Sequence, residues 1–201
     1  MLSVILALPT FLLAQSPRTL FGQGAGEGLS LGFYVSPAYQ LTSATGQAVH
    51  NVQGSAGLLI NRRFSIGGAF YASANEFTPV GEADPNLYLD LRYGGLRAEY
   101  IWNPDGLVHL SYPVTAGLGE AQMDLRRGER EFNEAYFFFI EPGVQAELNL
   151  TSYLRLVAGG TYRYVTGMSY TYANPAQATH TISSTDISGW GIHIGLRIGK
   201  L

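Results

Sequence analysis

Bulky apolar residues and small or polar residues alternate along most of this chain with the two-residue period of a β-strand. The last segment, Trp190-Gly191-Ile192-His193-Ile194-Gly195-Leu196-Arg197-Ile198-Gly199, is the clearest case: one parity is wholly apolar, and the other reads Gly, His, Gly, Arg, Gly. Successive side chains of a strand point to opposite faces, so the two parities describe two environments. The same rhythm predicts strands over 29–41, 49–60, 63–74, 87–102, 107–120, 135–150, 153–166 and 188–199.

The connections alternate too. A polar stretch over 42–50 comes first, then a tight Asn61-Arg62 turn. A long loop over 75–86 precedes the turn Asn103-Pro104-Asp105-Gly106, whose residues favour β-turns. A charged loop over 121–134, a short turn at Thr151-Ser152 and a long Ser/Thr/Tyr-rich loop over 167–187 complete the series. Short turns on one side and long loops on the other are the pattern of a small transmembrane β-barrel. The expected fold is all-β, a closed antiparallel eight-stranded barrel over 29–201, with both termini on the periplasmic side.

Parity assigns the faces. Outward positions include Leu31, Phe33, Val35, Tyr39, Phe64, Ile66, Phe70, Val108, Leu110, Tyr112, Val114 and Leu118. They continue through Tyr136, Phe138, Ile140, Val144, Leu148, Leu154, Leu156, Tyr162, Tyr164 and Trp190. On the fourth strand Leu87, Leu89, Leu91 and Tyr93 are assigned outward, which forces a parity change at Gly94-Gly95 and predicts a β-bulge or glycine kink there. The inward set then holds Asp90, Arg92, Arg97, Glu99, His109, Glu141, Glu147, Arg155, Arg163, His193 and Arg197. Buried charges must be paired and hydrogen-bonded. The hairpin of strands six and seven brings Glu141 to Arg163 and Glu147 to Arg155, directly or diagonally. An eight-stranded barrel is just wide enough for side chains to fill it, so the expectation is a plugged, salt-bridged lumen.

Composition narrows the possibilities. Only 13% of the 201 residues are charged, with a formal net charge of −3, which disfavours nucleic acid as a partner. There is no cysteine, which removes disulfides, thiolate metal sites and cysteine nucleophiles. No apolar run reaches the ~18 residues of a membrane helix. Residues 1–14, MLSVILALPTFLLA, read as a secretory signal peptide, and 15–28 as a periplasmic lead-in.

Candidate chemistry is sparse. His109 and Ser111 have a His-x-Ser spacing, and Glu99 lies on the neighbouring strand. Eight-stranded lipid A deacylases use a Ser-His-Glu triad, but here the pair follows a periplasmic turn and points into the lumen, away from outer-leaflet lipid. His50, His180 and His193 are scattered, so no catalytic, cofactor or metal site is assigned. Loop residues Arg126, Arg127 and Arg130 are candidates for anionic lipopolysaccharide, and Tyr170 and Tyr172 for a ligand or protein partner.

Phe137 to Gly167 (FFFIEPGVQAELNLTSYLRLVAGGTYRYVTG) and the C-terminal GIHIGLRIGKL resemble small porin-like outer-membrane β-barrel proteins of Bacteroidota. Glu141, Pro142, Gly143, Leu148, Asn149, Tyr162, Arg163, Tyr164 and Gly167 carry the resemblance, which covers about the last third of the chain. It implies an eight-stranded barrel in the outer membrane of a Gram-negative cell and brings no activity with it. The final Leu201 departs from the aromatic residue usual there as part of the signal to the barrel-assembly machinery. The expected role is non-enzymatic, structural or through loop binding. A narrow channel or small-solute porin, a lipid A-modifying enzyme and a soluble lipocalin-like barrel are the rival readings.

Overall fold

The computed structural model describes residues 29–127, 134–173 and 179–201. The signal and lead-in read at 1–28, and Arg130, lie outside the described residues. The strands are β1 (Leu31–Ala44), β2 (Gln47–Ile60), β3 (Phe64–Ser73), β4 (Leu87–Trp102), β5 (Val108–Leu125), β6 (Ala135–Asn149), β7 (Leu154–Thr166), β8 (Ser169–Ala173), β9 (Thr179–Ser183) and β10 (Gly189–Lys200). A single helical turn, α1 (Ser184–Ile187), precedes β10. Eight of these strands close a barrel in the order β1-β10-β7-β6-β5-β4-β3-β2, all neighbours antiparallel. Closure pairs every strand edge, which lipid demands.

The turns at Asn61–Arg63, 103–107 and 150–153 share one end, stitched by Ile101 N to Arg63 O, Asn149 N to Leu107 O and Gly199 N to Tyr153 O. The loops occupy the other end. Two connections differ from expectation. The 42–50 stretch is strand except for a two-residue Thr45-Gly46 turn, and β5 runs through 121–125 before its loop begins. The last loop carries its own hairpin, β8 against β9, from Ser169↔Ser183 to Ala173↔Thr179.

The outer wall is apolar. Phe33, Val35, Val52, Leu58, Ile66, Leu96, Leu118, Phe138, Val144, Ile192 and Ile194 are all exposed. Aromatic residues sit toward both rims: Phe64, Tyr100, Trp102 and Tyr153 near the turns, Phe70, Tyr136, Tyr164 and Trp190 toward the loops. Such girdles mark the two interfaces of a bilayer. A soluble lipocalin-like barrel would carry the opposite polarity.

Strand β4 corrects the parity reading. Its register against β5 is continuous through Tyr93↔Gly119, Gly94↔Leu118, Gly95↔Gly117 and Leu96↔Ala116, so no bulge occurs. Leu87, Leu89, Leu91 and Tyr93 are buried inside the barrel, while Asp90 and Arg92 point outward, where they pair with each other at 2.8 Å. The cause is height along the barrel. This end of β4 rises above the lipid belt, where the outside is water and the apolar side belongs within.

Candidate functional site

Inward side chains form three tiers. Nearest the turns, Tyr34, Leu59, Ile101 and Leu201 make an apolar floor. Above it stands the charged tier. Glu147 accepts hydrogen bonds from Ser111 Oγ (2.7 Å), Gln145 Nε2 (3.1 Å), Arg155 Nη1 (3.1 Å) and Arg197 Nη1 (2.7 Å), with His109 Nε2 at 3.3 Å. Glu99 receives Arg197 Nη2 at both oxygens and Gln145 Nε2 at 2.6 Å. Arg97 lies 3.9 Å from Glu99 and donates to Gln145 Oε1 at 3.3 Å. The Arg197 guanidinium also stands 4.4 Å over the Tyr34 ring. Strands β4, β5, β6, β7 and β10 thus contribute to one network whose members are buried. Ion pairs with this many supporting hydrogen bonds hold charge in a desolvated interior.

Of the residues expected in the lumen, Arg97, Glu99, Glu147, Arg155 and Arg197 meet in this tier. Asp90 and Arg92 do not, being on the outer wall. Glu141 and Arg163 are lumenal but are not a pair. The register from Ile140↔Tyr164 to Gly143↔Thr161 sets them side by side, yet each is taken by other partners. Arg163 extends toward the loop end, donating to Ile187 O (2.9 Å), Ser43 O (3.2 Å) and Tyr93 Oη (2.8 Å). Glu141 accepts from Gln40 Nε2 at 2.8 Å across the lumen.

The third tier is an apolar plug at the loop end. Tyr71 and Tyr93 stack at 4.5 Å with 6° between planes, and Phe139 meets Tyr93 edge-on at 4.9 Å. Phe137, Leu87, Leu89, Leu91, Met123, Val165 and Ile187 fill the same cluster. Gly119 makes room for it: a Cβ there would lie 2.3 Å from the Phe137 ring and 2.6 Å from Tyr93 Cβ. The parity reading missed this tier because it took every bulky apolar run for lipid-facing wall. The signal that could have found it is the pair of charges, Asp90 and Arg92, on the opposite parity of the same strand.

The loop candidates belong largely to this cap. Tyr170 and Tyr172 are buried, with Ser169 and Thr171 on the wet side of their strand. Tyr172 Oη donates to Glu82 Oε2 at 2.9 Å, and burial together with that carboxylate raises its phenol pKa well above the ordinary value. Burial also raises the pKa of Tyr170. Arg126 is held by Glu76 at 2.7 Å and by the Pro85 carbonyl, and Arg127 is exposed.

His109 and Ser111 both face Glu147, not Glu99. The serine hydroxyl donates to the carboxylate, so His109 does not stand as base to that oxygen, and the group is sealed between floor and plug. Acyl transfer by a serine asks for a base at its hydroxyl and a path for substrate, and the geometry here is instead that of a structural bond to Glu147. Among the described residues no group of His, Cys, Asp and Glu is arranged to hold a metal ion.

No protein-family model and no curated protein matches the chain. Solved structures do. The chain is similar to Neisserial surface protein A (NspA) at 18% identity and a TM-score of 0.57, covering 87% of this chain and 100% of that one. The N-terminal β-barrel domain of Pseudomonas aeruginosa OprF matches at 12% identity and TM-score 0.53, over 84% of this chain and 96% of that one. Pseudomonas aeruginosa outer membrane protein OprG matches at 8% and 0.53, over 84% and 95%. At such identities the likeness is one of fold. That fold, with the apolar belt, makes this chain an eight-stranded β-barrel of the outer membrane.

Proposed function

We propose that this protein is a non-conducting, non-enzymatic barrel that serves the envelope through its extracellular loops. The observation that carries this reading is the stack of Tyr71, Tyr93, Phe137 and Phe139 between the loops and the charged tier. A solute path would have to pass that cluster and then the Glu99–Arg197–Glu147 bonds. Side chains filling so narrow an interior leave the loops and rim as the working surface.

We take anionic lipopolysaccharide headgroups as the partner of Arg126 and Arg127, exposed residues just past the loop end of β5. The motifs from Phe137 to Gly167 and in β10 support a Bacteroidota-type barrel inserted by the assembly machinery. Vesicles loaded with the folded barrel test the reading. They should not swell in solutions of small sugars or amino acids, and lipid A extracted from cells carrying the protein should keep an unchanged mass spectrum. Swelling that depends on solute size would make it a porin, and a mass change in lipid A would make it an enzyme.

A further inference from the structure

Between the aromatic plug and the charged tier lies a polar layer with more hydrogen-bonding capacity than its own side chains use. Asn51 Oδ1, Gln53 Oε1, Arg97 Nε, Glu141 Oε2 and His193 Nδ1 are buried, and none of them bonds another described group. Their residues are between 0% and 7% exposed. Buried polar atoms are normally partnered, so a group of orphans in one layer points to a partner that is not protein.

The orphans converge. Gln40 joins two of their residues, accepting from Asn51 Nδ2 at 3.0 Å and donating to Glu141 Oε1 at 2.8 Å. Gln145 Oε1 joins two more, accepting from Arg97 Nη2 at 3.3 Å and from His193 Nε2 at 3.2 Å. With Nε2 donating, His193 presents Nδ1 as an acceptor. Thr115 is the register partner of both Arg97 and Glu141, which therefore flank it on the inner wall. Gln53 follows Asn51 by two residues, on the same face of β2. The Tyr71 hydroxyl, 3.3 Å from Thr115 Oγ1, roofs the layer.

The layer also has room. Ser36, Ser55, Ala69, Gly95 and Gly117 are successive register partners across β1 to β5. Directly paired residues share a face, and Ser36, Ser55 and Ala69 are buried, so this row belongs to the inner wall. It runs diagonally from the tier toward the plug and carries no side chain larger than a serine's.

We infer that this band of the lumen holds a cluster of bound water molecules, kept from both aqueous phases by the plug and the tier. Of the orphans, Asn51, Gln53, Glu141 and His193 offer acceptors and Arg97 offers an N–H donor. A metal cation would satisfy the acceptors and oppose the guanidinium, and an anion would do the reverse. Water serves both kinds, and a polar, roomy site with several partners is where it is held. The inference rests on the reading of a sealed lumen and adds that the closed interior is wet at mid-height.

The test is hydroxyl-radical labelling by X-rays of the folded barrel in vesicles, read by mass spectrometry after rapid mixing into heavy-oxygen water. Radicals form from water in place, so a buried side chain is labelled only by water beside it. His193 and Tyr71 should be labelled well above Tyr34, which is as buried but lies in the apolar floor. Heavy oxygen should reach them more slowly than it reaches the exposed Tyr136. Ser55→Leu fills the band and should remove most of that label, and Gln53→Leu removes one acceptor and should lower it. Both are read on barrels whose folding is verified by gel migration, and the wild-type comparison decides even where a variant does not fold. Labelling of His193 and Tyr71 no greater than that of Tyr34, or a label unchanged in folded Ser55→Leu, would overturn the inference and leave the sealed lumen standing. Heavy oxygen arriving at His193 as fast as at Tyr136 would instead overturn the sealing.

Discussion

Arg197 and Glu99, 98 residues apart in the chain, meet across the lumen, with Arg197 Nη2 donating to both carboxylate oxygens at 3.0 and 2.8 Å. The same guanidinium reaches Glu147 at 2.7 Å, so one arginine of β10 ties β4 to β6 through the barrel interior. Glu147 is the hub of that tier. Glu147→Ala would leave Arg155 and Arg197 buried with a missing partner, and should cost roughly 3–5 kcal/mol. Urea unfolding in lipid vesicles reads this directly. Glu141→Ala should cost less, about 1–2 kcal/mol, because Glu141 bonds a neutral amide and not Arg163. Equal losses in the two variants would mean that the hub is misidentified.

Strand β4 provides a test of the faces within one turn of pleat. Leu91 is buried in the plug and Arg92 is on the wet outer wall. Leu91→Arg should block folding or leave a grossly destabilised barrel, whereas Arg92→Gln should change stability by no more than about 0.5 kcal/mol. Heat-modifiable gel migration after refolding distinguishes the two. The opposite ranking would restore the parity reading in which Leu91 faces lipid.

That reading shows how far the sequence is legible. Eight strands, the closed barrel and the buried positions of Arg97, Glu99, Glu147, Arg155 and Arg197 all follow from a period of two, since alternation is a local property of the strand. What failed was an assumption about surroundings. Parity says that Leu91 and Arg92 face opposite ways, but not whether the strand at that height has lipid or water outside. Nor could it say that Arg163 would reach past Glu141 to the carbonyls of Ile187 and Ser43, because those acceptors belong to distant loops. The loop-end pocket lined by Thr45, Glu82 and His180 is illegible for the same reason, since those residues come from three separate connections.

On the lipid face, Ile194 is exposed near the middle of β10. Ile194→Arg should cost roughly 2–4 kcal/mol of folding free energy in a bilayer, as cations do near the midplane of such barrels. The same substitution at Thr171, on the wet side of the β8–β9 hairpin, should have little effect. Equilibrium folding into vesicles of defined thickness measures both, and equal tolerance would place Ile194 outside the hydrocarbon layer.

The Tyr172 phenol has a folded-state pKa above its unfolded value of 10.0, through burial and the bond to Glu82. Its contribution to holding the hairpin over the barrel is therefore fully present below the ordinary tyrosine range. It is lost as the pH rises through the raised value, where the phenolate would face the Glu82 carboxylate. Amide hydrogen exchange in β8 and β9, corrected for intrinsic rates, should show protection falling as the pH climbs past that range. Tyr172→Phe should flatten the dependence. A wild-type hairpin with constant protection would remove the Tyr172–Glu82 bond as its fastening.

The central claim is that the lumen is closed by an aromatic plug above an ion-paired tier. Single-channel recording in a planar bilayer, on protein whose folding has been verified by gel migration, tests it most directly. The folded wild-type barrel is predicted to be silent across the usual range of voltages, with openings appearing when the plug is thinned by Phe139→Ala together with Tyr71→Ala. Steady, discrete openings of the wild-type barrel would contradict the claim and turn the Glu99–Arg197–Glu147 cluster from a fastening into the selectivity region of a pore.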